Sequence, residues 1–456
     1  MPRNTRLPPG PRGVPLLGSL PALSRDLLGF LTEMRDYGDV SFARFGTAPS
    51  YMLNQPALVE ELLVGRHREC VKDAGTRELI PLIGHGLVTS EGDFWRRQRK
   101  LASSPLQPKH IIAYADTMVD CASRTFSELR DGEMRDISVD LGHLTLEIVS
   151  KTLLGVDARA DAERIRTALD ASMNYFEMQL LTVHAALPKW VPTPGRLRFR
   201  RAVKEVDAIV YGIIERCRAQ TGEADHLLAR LLRARDEEGE AMTDAQLRDE
   251  AVTMLLAGHE TTALALCFAV YLLSANPACA ARLRDEVDSH LVGRAATMAD
   301  LSKMPYLDAL VREELRLYPP AYLVGREVVR EFEIGGYTLP VGAQVMASPY
   351  TLQRDPRFFR EPERFMPERW LDSSAPASPR YAYIPFGGGP RVCIGNHFAT
   401  MEIALVLATL MQQVEFTVAP DYQLVLSPVV TMRIRDNLRV TVKRRGTALG
   451  DGAQVR

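Results

Sequence analysis

The chain has 456 residues and a mass of 50.8 kDa, enough to bury a large core as one domain or as two or three. With 46% hydrophobic and 25% charged residues it has the composition of a soluble globular protein, and a formal charge of −1 argues against a general polyanion binder, so no nucleic-acid partner is expected. Six scattered cysteines form no CxxC or CxxCH pattern, which disfavours zinc pairs and covalent haem attachment and predicts a reduced, cytoplasmic setting.

The chain opens on MPRNTRLPPGPRGVPLLGSLPAL, where five prolines between residues 8 and 21 interrupt any apolar run suited to a signal peptide or membrane anchor. Residues 1–25 read as a proline-rich arm, 26–445 as one domain and 446–456 as a frayed tail. Within the domain, residues 26–37 have helical spacing and VSFARFGTAPSYMLN (40–54) alternates as a hairpin does. Helical periodicity then dominates from Pro56 to about residue 317, broken by loop signals near 72–93, 186–197 and 234–243.

In that region TTALALCFAVYLLSANPACAA (261–281) is uncharged over a membrane-spanning length, but Asn276-Pro277 ends the helical pattern. A buried core helix is expected, and no integral membrane anchor. Short strands return between 322 and 350, with EFEIGGYTLPVG as two strands about a Gly335-Gly336 turn. A proline-punctuated coil, a glycine-rich loop, one helix and a tail of strands complete the chain. Strands near both ends need partners from each other, so one large α+β domain, mainly α, is predicted.

Three runs carry chemistry. FGGGPRVCIG (386–395) sets Cys393 in a glycine-rich loop just before the helix of NHFATMEIALVLATL. A thiolate there would be favoured by the helix N-terminus and nearby backbone N–H groups, and a thiolate ligand on haem iron promotes O–O cleavage. Phe386 could shield the sulfur and Arg391 could pair with a haem propionate. An isolated cysteine before a helix is more often inert, the reading given to Cys267 and Cys279.

In LLAGHETTALAL (255–266), Glu260 and Thr261 interrupt a long apolar helix. Ala257 and Thr261 share a face, and Gly258 beside them would leave room for a small molecule. Thr261 could hydrogen-bond a dioxygen species while Glu260 relays protons; alternatively Thr261 bonds back to the carbonyl four residues earlier and Glu260 is solvated. Third, EELRLYPP (313–320) places Glu313 and Arg316 on one helix face, a commonplace pairing by itself.

Together with FMPERW (365–370), these runs resemble, in order and spacing, the signature set of the cytochrome P450 family of haem-thiolate monooxygenases. The AGxET pattern falls on Ala257 to Thr261, ExxR on Glu313 and Arg316, the PERF-like run on Pro367 to Trp370, and FxxGxRxCxG on Phe386 to Gly395. PPGPRGVPLLGSL looks like the family's proline-rich start. Trp370 stands where the family has phenylalanine, a change read as one of volume.

The resemblance implies the P450 fold, with haem b (iron protoporphyrin IX) between a long central helix and the helix of the cysteine loop. Cys393 would be the axial ligand, and Glu313, Arg316 and Arg369 a structural triad. Trp95, Arg99, Arg326 and Arg391 would meet the haem propionates. It further implies insertion of one atom of O2 into a hydrophobic small molecule, as in secondary metabolism. Electrons would come from a ferredoxin or flavodoxin with an NAD(P)H-dependent reductase, and a monomer is expected.

The family's pocket would be lined by residues 68–88, 170–192, Ala257, Tyr322 to Val324 and Val429 to Thr431. These apolar stretches suit a terpene, fatty acid, steroid or macrolide-like ligand alike. A peroxide-using haem-thiolate isomerase or dehydratase and a haem-based gas sensor stay open, both disfavoured by the Glu260–Thr261 pair. Arg96 and Lys100, on another stripe of the helix bearing Trp95 and Arg99, could attract an acidic electron donor or be a solvated basic face. The basic run 188–204 could likewise touch lipid or an anionic substrate, or be solvated.

Overall fold

The longest element follows directly from its boundary residues. The central helix, Asp244–Ala275, begins with a capping box: the Thr243 side chain accepts from Gln246 N (3.3 Å), and the Gln246 side chain accepts from Thr243 N (2.7 Å). It stops at Asn276 because Pro277 opens the next helix at its first turn. Apolar on nearly every side, it is long and apolar enough to cross a membrane, yet it runs through the main core against the helix Ile137–Leu154 and the cysteine-loop helix Asn396–Gln413.

The computed structural model describes residues 6–155, 159–181, 191–219, 226–372 and 378–446. Its strands are β1 (Val40–Phe45), β2 (Ala48–Leu53), β3 (Cys70–Lys72), β4 (Met134–Asp136), β5 (Val324–Val328) and β6 (Phe332–Ile334). They continue with β7 (Tyr337–Leu339), β8 (Gln344–Ala347), β9 (Val414–Val418), β10 (Leu426–Pro428), β11 (Met432–Ile434) and β12 (Arg439–Arg444).

A five-stranded sheet runs β1-β2-β8-β5-β3, a three-stranded one β4-β12-β9, and β6-β7 and β10-β11 are hairpins. Both larger sheets join distant parts of the chain, as expected: β2 pairs parallel with β8, and β12 antiparallel with β4. Helices otherwise dominate, giving the mainly α, α+β arrangement read from the sequence.

Two strands differ from expectation. β3 and β4 lie in the stretch read as helical, because three residues carry no legible period and their partners sit far away, at Arg326–Val328 and Arg439–Thr441. The proline-rich arm is bonded to β1, with Phe42 N donating to Pro9 O (2.9 Å) and Ser19 N to Arg44 O (2.7 Å). A Cβ at Gly10 would lie 1.8 Å from Phe42 O, so only glycine permits this approach. The arm ends in a short helix, Leu20–Arg25, and the tail beyond Gly446 lies outside the described residues.

One buried carboxylate organises the layer beneath the cysteine loop. Glu313, on the helix Pro305–Leu317, is fully buried, and its two oxygens take five hydrogen bonds of 2.9 Å. The donors are Arg316 Nε and Nη2, Arg369 Nε, Met366 N and Trp370 Nε1. Arg316 spends its remaining N–H groups on the carbonyls of Gln353, Pro362 and Arg364.

A buried ion pair is worth its desolvation only when every lone pair and proton is so matched. The neighbouring Glu314 shows the contrast. It is equally buried, no described residue bonds its oxygens, and burial raises its pKa well above the carboxylate range.

Trp370 is therefore more than a volume change. Its indole N–H fills an acceptor site on Glu313 that phenylalanine would leave open. Trp370→Phe should lower unfolding stability by about 2 kcal/mol, the scale of a hydrogen bond to a charged group, read from urea unfolding midpoints. An unchanged midpoint would contradict the role given to the indole.

Candidate active site

The loop Phe386–Gly395 is held in a tight curl by its own backbone. Cys393 N donates to Phe386 O (2.9 Å), Gly387 N to Ile384 O (3.0 Å) and Val392 N to Gly389 O (3.1 Å). Gly389 has φ +65°, and a Cβ there would sit 2.1 Å from Leu63 O, so no other residue fits. Gly395 caps the helix Asn396–Gln413, and its N–H lies near enough to the Cys393 sulfur to favour the thiolate.

Cys393 has protein packed densely around it yet is itself exposed, so the loop leaves part of it open. Burial, the largest effect, pushes its pKa up, against the lowering by the Gly395 N–H and the positive charge of Arg99. The helix end and nearby backbone N–H groups are expected to favour the thiolate, and in the protein burial opposes them. Binding to a metal, which deprotonates a thiol outright, would supply the anion.

Cations gather around the same loop. Trp95 and Arg99 lie on the helix Gly92–Ser103, and the guanidinium of Arg391 stacks on the Trp95 ring at 3.9 Å from its centroid. Arg391 also donates to Ser90 O (2.8 Å) and to the Glu91 carboxylate, which ties the cysteine loop to the start of that helix. Arg326, on β5, is buried and bonds only the carbonyl of Gly325 (2.6 Å) among the described residues.

Directly opposite Arg326 on β3 is Lys72, a residue the sequence gave no reason to single out. Paired positions on antiparallel strands project to the same face. Burial, then the charges of Arg326 and Arg391, push the Lys72 ammonium down to about 7. Burial likewise lowers Arg99 and Arg326, and takes Arg391 to about 10.

Asp73 and Glu91 are the acids that oppose this crowding. One buried and three half-buried cations with so few anions make a site for additional negative charge, and the two carboxylates of an iron protoporphyrin fit it. The residues present thus match the prosthetic group expected from the sequence.

The central helix contributes a second surface. Ala257 is exposed and Thr261 and Leu264 are half-buried although the helix otherwise lies in the core, so the 257, 261, 264 stripe borders open space. Thr261 Oγ1 donates to Ala257 O (2.7 Å), the local back-bond. Gly258 also has a packing role. A Cβ there would meet Val149 Cγ2 at 3.1 Å, so its lack of a side chain allows close packing of the helix Ile137–Leu154.

His259 is buried and pushed down to about 4 by desolvation. Glu260 is not solvated. It is buried, and its Oε1 accepts from Thr431 Oγ1 (2.6 Å) and Arg433 Nε (2.7 Å), two partners the sequence reading missed.

Other expectations resolve as follows. Tyr322 and Val429, predicted to line one pocket, are joined by a hydrogen bond from Tyr322 Oη to Val429 O (2.6 Å). Arg96 and Lys100 lie exposed on another stripe from Arg99, as expected, but each already pairs with an acid, Asp93 and Glu237. Beside them Arg97 pairs with Asp236 (2.5 Å). The segment 182–190, part of the expected pocket and of the basic run, lies outside the described residues.

Comparison with known proteins agrees with this geometry. The family model for Cytochrome P450 matches residues 8–436. Cyclooctatin synthase of Streptomyces melanosporofaciens is 34% identical, over 90% of this chain and 89% of that one. Pentalenene oxygenase of Streptomyces avermitilis is 32% identical over 96% and 97%. Among solved structures, retinoic acid bound cyanobacterial CYP120A1 superposes with a TM-score of 0.85 at 26% identity, covering 96% of this chain and 99% of that one.

The cation cluster yields a direct test. Lys72→Met and Arg326→Met should each speed loss of iron protoporphyrin to excess apomyoglobin by about tenfold, the scale of one charge-assisted hydrogen bond. Arg96→Gln, on the other stripe, should leave that rate unchanged. Equal rates in all three variants would contradict the assignment.

Proposed function

The chain belongs to the cytochrome P450 family of monooxygenases, and from that premise we propose that it oxidises a cyclic terpene at a haem b held by Cys393. The observation that carries the reading is the thiol of Cys393, in a loop at a helix N-terminus that leaves part of it open. Bound there, haem supplies the activation of O2. Arg99, Arg326 and Lys72 neutralise its carboxylates, while Arg391 and Trp95 lock the cysteine loop to the helix Gly92–Ser103. Electrons reach the site from NAD(P)H through a separate ferredoxin or flavodoxin and its reductase.

The protein's own residues handle position and protons. Ala257 leaves space beside the helix, and the apolar wall of Tyr322, Leu323, Val324, Val429 and Val430 excludes water and holds a hydrocarbon. Thr261 carries a proton on the hydroxyl that rests against Ala257 O, and Glu260 replenishes it. Glu313, Arg316 and Arg369 act as scaffold. The terpene class is supported by relatives named Cyclooctat-9-en-7-ol 5-monooxygenase, 34% identical, and Pentalenene oxygenase, 32% identical.

Titration of the purified haem protein should show cyclic terpenes moving the Soret band toward high-spin iron, with linear fatty acids of similar carbon number silent. A response to the fatty acids alone would overturn the terpene assignment. Thr261→Ala should keep full haem content and lower product formed per NAD(P)H consumed by about a hundredfold, the excess appearing as hydrogen peroxide. Retained coupling would remove Thr261 from the proton path.

A further inference from the structure

Glu260 and the tip of the β10-β11 hairpin form one unit. Within the hairpin, Leu426 pairs with Ile434, Ser427 with Arg433 and Pro428 with Met432, leaving Val429–Thr431 as the tip. The tip closes on itself through Val429 N to Thr431 O (3.0 Å). It is fixed to the segment after the helix Pro305–Leu317 at two points: Met432 N donates to Pro320 O (2.9 Å), and Tyr322 Oη to Val429 O (2.6 Å).

Its other attachment is to the central helix. Thr431 Oγ1 and the Nε and Nη2 of Arg433 all converge on one oxygen, Glu260 Oε1, at 2.6, 2.7 and 2.6 Å. Thr431 and Glu260 are buried, whereas the Arg433 side chain keeps 27% of its surface accessible.

Three donors on one oxygen fix the direction of a carboxylate. Among the described residues Oε2 has no hydrogen-bond partner, which leaves it as the oxygen that can exchange a proton. The residue that fixes it reaches solvent, and the element that bears it also belongs to the apolar wall at Tyr322.

We propose that Thr431 and Arg433 are positioning residues for proton delivery, aiming the Glu260 carboxylate and linking its placement to the hairpin tip that borders the substrate space. This rests on the monooxygenase reading above. No net oxidation is involved: Oε2 gains a proton from solvent and passes it toward Thr261, and the carboxylate is restored. A substrate that fills the space against the tip keeps Glu260 aimed. One that displaces the tip misaligns it and diverts electrons to hydrogen peroxide.

The test uses the ferric haem protein with Arg433→Gln, Arg433→Lys, Glu260→Gln and the Glu260→Gln/Arg433→Gln double variant. An infrared difference between the protein and its Glu260→Gln variant isolates the Glu260 carboxylate band without turnover. That band should shift in Arg433→Gln and return in Arg433→Lys. Product per NAD(P)H consumed should fall about tenfold in Arg433→Gln, the scale for removing a partner that orients a functional group. The double variant should be no worse than Glu260→Gln alone.

Should Arg433→Gln fail to retain haem, Thr431→Val against Thr431→Ser gives the same comparison, with the hydroxyl variant restoring band and coupling. An unmoved band, or losses that multiply in the double variant, would overturn the proposal. A wild-type protein without a thiolate-type carbonyl spectrum would instead overturn the monooxygenase reading.

Discussion

A thiol surrounded by protein resists ionisation, and the architecture around Cys393 is best understood from that constraint. The Gly395 N–H and Arg99 both favour the anion, but burial is the larger effect and pushes the thiol pKa up. A metal bound at the sulfur would complete the balance. The same logic governs the cations nearby. Lys72, Arg99, Arg326 and Arg391 are each shifted toward neutrality by burial, so the two carboxylates of a haem would offset a cost that the polypeptide carries by itself.

Holding such mismatched groups requires rigidity elsewhere. Glu313 supplies it on one side, where five donors from the helix Pro305–Leu317 and the run Met366–Trp370 converge on one buried carboxylate. Arg391 supplies it on another, binding the cysteine loop to Ser90 and Glu91. The third tie is Glu260 with Thr431 and Arg433, which joins the central helix to the last hairpin. Each tie is an ionic hydrogen-bond set between elements distant in sequence.

Much of this was legible in the sequence, for a specific reason. The Cys393 loop and the Glu313–Arg316 pair are local patterns, set by spacing along a turn or a helix face, and the structure places them as expected. The helical majority and the hairpins at 40–54 and 332–339 were likewise carried by period and turn residues. Lys72 was not legible, because its place beside Arg326 depends on a three-residue strand whose partner lies far along the chain. Nor was Arg433, which lies 173 residues from Glu260. Gly258 and Trp370 were read by size alone, whereas helix packing and an N–H donor explain them.

The claim on which all of this turns is that the Cys393 sulfur binds haem iron. The reduced, carbonyl-treated protein measures it directly. The account predicts the strongly red-shifted Soret band of thiolate ligation in the native chain and its disappearance in Cys393→Ser. A native spectrum without that band, or a serine variant that keeps it, would contradict the account.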